Sequence, residues 1–155
     1  MVYCDSNLLL RVYAQMPDSE FALQQFARLE ALSSPTPITW LHHLEIGNAF
    51  EQLVFFARNG HPIRISPEQA SVGLAQFDEE VRLSERFIPG DLTLPDLVRM
   101  SRQLSSRHTA KHGFRSYDIV HVASALLLEC DAFWSFDAKA SKLAALEGLK
   151  TISRA

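Results

Sequence analysis

Short β-prone runs alternate with longer runs of helical period along the 155 residues. Val2-Tyr3-Cys4 reads as a first strand, ended by Asp5, and Leu8, Leu9, Leu10, Val12 and Tyr13 begin a helix. A break at Met16-Pro17-Asp18 opens a second helix, with Phe21, Leu23, Phe26, Leu29 and Leu32 on one face. Ser33-Ser34-Pro35-Thr36-Pro37 ends it, and Pro37 to Trp40 reads as a second strand. A long helix follows from about Leu41 to Arg58, apolar over most of its circumference, and residues 59 to 62 form a turn. Ile63 to Ile65 reads as a short extended segment. Ser66-Pro67-Glu68 starts a helix to about Leu83, because Pro suits the first helical position.

Phe87-Ile88 reads as another strand, followed by a loop from Asp91 to Asp96 and a helix through Leu104. The segment Arg115 to Ala140 organises the rest. Ser116 reads as an N-cap with Asp118 in the first turn of a helix that is apolar on nearly every side. Phe133, Trp134 and Phe136 make a short strand ended by Asp137. Lys139 to Glu147 as helix, Gly148 as C-cap and Leu149 to Ser153 as last strand complete the chain. Regular alternation of this kind predicts one α/β domain over residues 1–155, with a parallel sheet covered on both faces.

Four carboxylates stand at special places in this pattern. Asp5 and Asp137 end strands, Asp118 opens a buried helix, and Glu45 lies in line with Leu41 and Ala49 inside an apolar helix. Each has an ordinary explanation alone: the macrodipole favours Asp118, Asp5 and Asp137 suit helix caps, and Glu45 can be partly exposed or paired with a buried Arg. Together they gain meaning, because strand C-termini of an open α/β sheet are where ligands bind. Clustered carboxylates raise one another's pKa, and a hard divalent cation removes that conflict. Oxygen ligands without paired Cys or His favour Mg²⁺ or Mn²⁺.

Composition narrows the classes. The apolar fraction of 47% and charged fraction of 21% are those of an ordinary globular domain. No apolar run is long enough for a membrane span, and the N-terminus lacks a basic leader or cleavage pattern, so a cytoplasmic protein without membrane contact is expected. Cys4 and Cys130 suggest neither a disulfide framework nor a metal site, and the six His residues form no zinc-binding pattern. A net charge of −3 argues against indiscriminate nucleic-acid binding. The stretch from Arg99 to Arg115, however, carries five cations and no acid, which suits either a solvated helix face and loop or an edge that contacts phosphates.

Asp5-Ser6-Asn7 after the first strand, Glu45 in an apolar helix, Tyr117-Asp118-Ile119-Val120-His121-Val122-Ala123-Ser124-Ala125 and Phe133-Trp134-Ser135-Phe136-Asp137 occur in this order. In that order and spacing the chain resembles the PIN-domain nucleases, and among them the VapC-like toxins of type II toxin–antitoxin pairs. The resemblance runs from Asp5 to the last strand; residues 59 to 95 carry no signature of it. It implies a three-layer α/β/α fold with a central, mostly parallel sheet, and Mg²⁺- or Mn²⁺-dependent cleavage of RNA. It makes Asp5, Glu45, Asp118 and Asp137 the acidic metal-binding quartet, Ser135 an orienting hydroxyl, and Ser6 and Asn7 the polar pair after the first Asp. It also implies a homodimer and a cognate antitoxin; in the sequence Phe21, Phe26, Phe55 and Phe56 suit such a partner surface and suit core packing equally. Arg115 is expected to position phosphates, and His121, one turn after Asp118, to serve the core or the surroundings of the carboxylates rather than as a general base.

Three other readings compete. One is an RNA-processing nuclease of the same fold outside a toxin–antitoxin pair. A second is a non-catalytic RNA- or protein-binding module. The third, an aspartate-nucleophile phosphatase, is disfavoured because residue 7 is Asn and no DxD follows the first strand.

Overall fold

The computed structural model describes residues 1–83 and 85–152. The order is β1 (Val2–Cys4), α1 (Ser6–Tyr13), α2 (Ser19–Ala31), β2 (Thr36–Ile38), α3 (Trp40–Arg58), α4 (Pro67–Leu83), β3 (Phe87–Pro89), α5 (Leu94–His112), α6 (Ser116–Leu127), β4 (Ala132–Trp134), α7 (Ala138–Leu146) and β5 (Lys150–Thr151). Among the described residues every strand pairing is parallel, so this is a mixed α/β fold of short strands and long helices. No helix among the described residues is long and apolar enough to cross a membrane.

Most expected elements are present, with corrections: the second strand ends at Ile38 and Trp40 opens α3, and the strand before Asp137 ends at Trp134 rather than Phe136. Ile63 to Ile65 forms no strand. Helix α5 continues eight residues past Leu104, to His112, where Gly113 adopts a left-handed φ of 67° and its N–H bonds back to Thr109. The N-cap of α6 is Arg115 rather than Ser116, which is the first helical residue. The last strand is confined to Lys150–Thr151; Ser153, its expected end, lies outside the described residues.

The strands form two ladders, β1-β4-β5 and β2-β3, rather than the single expected sheet. The break has a local cause. Thr36 N–H and the Ile38 carbonyl bond toward β3, through Arg86 and Gly90, so the alternation of a strand turns Pro37 toward β1. Proline has no N–H to donate there. His42 from α3 fills the role: its Nε2 donates to the Cys4 carbonyl at 2.9 Å, while Nδ1 accepts the Thr39 backbone N–H at 3.0 Å. The imidazole is fully buried, and burial, with His121 nearby, pushes its pKa down to about 3. Neutral His42 thus stitches β1 to the start of α3.

Alternation along β1 and β4 splits the core in two. Cys4 and Trp134 pack with α1 to α4, among Leu9, Ile46, Phe50 and Phe77. Tyr3 and Phe133 point the other way, stacked with ring centroids 5.6 Å apart, and pack with α5, α6 and α7 through Leu104, Val122 and Leu143. On the first side α4 comes very close. A Cβ added at Gly73 would lie 2.7 Å from the Tyr13 carbonyl oxygen and 2.8 Å from the Phe50 ring. Gly73→Ala is therefore expected to destabilise the fold by about 1–3 kcal/mol, despite alanine's better helix propensity. A urea titration checks this; a stabilised variant would show that α4 can withdraw without loss.

Candidate active site

Strands β1 and β4 are neighbours, and each leads into an aspartate. Asp5 continues the ladder, its N–H donating to the Trp134 carbonyl at 3.0 Å. It then caps α1, where Oδ1 accepts the Leu8 N–H at 3.0 Å. Ser135 joins the two chain exits: its hydroxyl donates to Asp5 Oδ2 and accepts the Asp137 N–H at 2.8 Å. Asn7 adds a second tie, with Oδ1 accepting the Phe136 N–H at 3.0 Å. Ser135 and Asn7 thus bridge the chain exits of β1 and β4. Asp137 caps α7, its Oδ1 accepting from the N–H groups of Lys139 and Ala140 at 2.7 and 3.1 Å.

Glu45 approaches from α3. Its Oε2 lies 2.6 Å from Nε2 of His121, which is 5% exposed and comes from α6. Nδ1 of the same ring is 2.9 Å from the Tyr3 hydroxyl. His121 therefore supports Glu45 from behind: the carboxylate is partly exposed and its partner is this histidine, not a buried arginine. Burial raises the Glu45 pKa, but the hydrogen bond and charge of His121 outweigh it and the net shift is downward. Asp5 shifts the other way: only 4% exposed, it is pushed up to about 6 by burial, against the opposing pull of His121 and Ser135 and with Glu45 adding to the rise. Ser6 also helps to lower Glu45, yet its hydroxyl is buried and short of a hydrogen bond to any described residue.

Asp118 stands in the first turn of α6, half-buried, and its Oδ2 accepts the Arg115 backbone N–H at 2.9 Å. The structure thus links Asp5 to Asp137 through Ser135 and sets Glu45 in the field of Asp5. Asp118 is tied to its own helix start. Among the described residues no three His, Cys, Asp or Glu side chains are gathered as a ready metal cage. The donor chemistry nevertheless fits a hard cation. Asp5, Glu45 and the unbonded Ser6 hydroxyl are all oxygen donors, and no Lys or Arg among the described residues pairs with Asp5.

A groove of about 470 Å³ opens beside Glu45, lined by Ser6, Asn7, Leu44, Asn48, Gln52 and Tyr117 among others. In comparisons with known proteins, the chain matches no protein-family model and no curated protein at a significant level.

Two supporting residues escaped the sequence reading. In the sequence Tyr3 is one β-prone residue of three, and His42 stands beside His43 without metal-ligand spacing. The alternation of β1 is the signal that was there to use: it sends Tyr3 to the face where α6 packs, and so toward His121. Of the aromatics expected on a partner surface, Phe26 is buried at 4% exposure and Phe55 is open at 60%. Phe21 packs edge-on to Phe136, and Phe56 stacks on His61.

Proposed function

We propose that this chain is a Mg²⁺- or Mn²⁺-dependent endoribonuclease of the PIN-domain kind, acting as the toxin of a toxin–antitoxin pair. The observation that carries the reading is the pair of aspartates at the C-terminal ends of adjacent parallel strands, joined by one serine hydroxyl. The packing of α1–α4 and α5–α7 against opposite faces of β1 and β4 supports the three-layer α/β/α reading. Asp5 and Glu45 would hold the cation, with Asp118 and Asp137 completing its surroundings. When bound, the cation supplies Lewis-acid stabilisation of charge on the phosphodiester and makes an attacking water more acidic.

The chain's own residues set the stage. Ser135 fixes the Asp5 carboxylate and the turn that presents Asp137. His121, braced by Tyr3, holds Glu45 in its ionised form and in one orientation. The groove beside Glu45 offers amides and the exposed Tyr117 ring to an unpaired stretch of RNA. A cytoplasmic location, a homodimer and an antitoxin partner belong to the same proposal; the two buried free cysteines agree with a reducing compartment. An RNA-processing role outside a toxin–antitoxin pair uses the same site and differs only in its RNA and its partner.

The test is a melting curve with and without Mn²⁺. A ligand at about 100 times its Kd adds about 2.7 kcal/mol, worth about 2–4 °C per kcal/mol at this chain size. The parent is expected to gain several degrees, and Asp5→Asn or Glu45→Gln to gain little. An equal gain in all three would place the cation elsewhere.

A further inference from the structure

The basic stretch of the sequence does not act as one face. Arg99 is ion-paired with Asp96 at 2.6 Å, and Arg107 with Glu147 at 2.9 Å, where His108 also binds. Arg102 precedes Lys111 by nine residues, two and a half turns, so the two lie on roughly opposite sides of α5. Lys111 and Arg115 are exposed and make no ion pair among the described residues.

Two further cations reach the same place from α7. Lys139 Nζ donates to the Gly113 carbonyl at 2.9 Å, which ties the start of α7 to the turn between α5 and α6. Lys142, three residues and about one turn further along α7, is exposed on the same side of the helix as Lys139. The cations of two elements thus share one surface.

That surface joins the candidate site at both of its helix starts. Arg115 precedes α6 and its backbone N–H holds Asp118; Lys139 follows Asp137 by two residues on α7. Four cations therefore lead away from two of the four carboxylates. A repelled polyanion needs such an approach if it is to bring one phosphate to an acidic centre.

We propose that Lys111, Arg115, Lys139 and Lys142 form a track for the phosphates of single-stranded RNA, starting at Asp118 and Asp137 and running along the junction of α5 and α7. The track rests on the nuclease reading, since it supplies that site with its substrate backbone. Arg99 and Arg102 take no part in it.

The experiment compares Lys111→Ala/Lys142→Ala with Arg99→Ala/Arg102→Ala, two double variants of equal charge loss. Binding of a labelled single-stranded oligouridine is followed by fluorescence anisotropy over a salt series, in EDTA so that no strand is cut. Cleavage by the parent with Mn²⁺ is measured on the same preparation. The track variant is expected to lose about 1.4 from the slope of log K against log salt, at about 0.7 per phosphate. The control double is expected to keep the parental slope. Equal losses in both, or a parental slope in the track variant of a parent that does cut RNA, overturn the track alone. A parent that neither binds oligouridine nor cuts RNA overturns the track together with the nuclease reading.

Discussion

Asp118→Asn is expected to lose metal-dependent RNA cleavage by about 10²–10³-fold or more, the scale of removing one preorganised electrostatic contact, while melting within a degree or two of the parent. The fold is spared for a structural reason. Asp118 is half-buried, and its one hydrogen bond is accepted from the Arg115 N–H. The Asn carbonyl can accept the same bond, so the start of α6 keeps its cap. What changes is one negative charge at the start of α6, which under the proposed function helps to complete the surroundings of the cation. Cleavage assays beside a melting curve separate the two effects. A variant that cuts RNA at the parental rate would remove Asp118 from the site.

His42→Leu is expected to cost about 2–6 kcal/mol, because the Cys4 carbonyl and the Thr39 N–H would both be left buried without partners. The cost should depend on pH. The folded-state pKa of about 3 lies below the ordinary value of 6.5. The unfolded chain therefore binds the extra proton first, and the contribution of His42 is complete above pH 6.5 and falls as the pH drops toward 3. Between pH 7 and pH 5 the parent should lose about 2 kcal/mol that the leucine variant does not. Asp5 works in the opposite sense, since a carboxyl raised to about 6 favours the folded state most below its ordinary 3.8. Taking the difference between parent and variant cancels that term. Urea titrations at the two pH values supply the measurement, and a difference that stays constant would mean that His42 titrates in the fold as it does in the unfolded chain.

The helices and strands were legible because their periods are clean. The apolar spacing of Leu41 to Arg58 and the caps at Ser66-Pro67 and Gly148 are local signals, and local signals survive folding. What escaped depends on contacts between distant residues. The split between the two ladders turns on Pro37 meeting β1, and its repair turns on His42, neither of which periodicity can express. The length of α5 was underestimated because Ser105, Ser106 and Thr109 are weak helix formers. Packing of α5 against α6 and the Gly113 cap decide its end instead.

The site was legible in the same uneven way. Asp5, Asp137, Ser135 and Asn7 lie within a few residues of strand ends, so their meeting follows once β1 and β4 are paired. The partner of Glu45 was not foreseeable from α3. A carboxylate on an apolar helix demands a cation, a metal or a hydrogen-bond donor, but only the contacts between α6 and β1 show that His121 is the partner and that Tyr3 stands behind the ring. The basic stretch was misleading as a run of sequence. Asp96 and Glu147 neutralise part of it, and the cations that remain find company on α7.

The most direct measurement is cleavage of a mixed panel of tRNA, rRNA fragments and mRNA by the purified protein, with Mg²⁺, with Mn²⁺ and with EDTA, beside Asp118→Asn prepared identically. Cuts that require the cation and vanish in the variant are the predicted result. A folded protein whose melting point rises with Mn²⁺ but which leaves every RNA intact under all three conditions would contradict the nuclease account and favour a binding module.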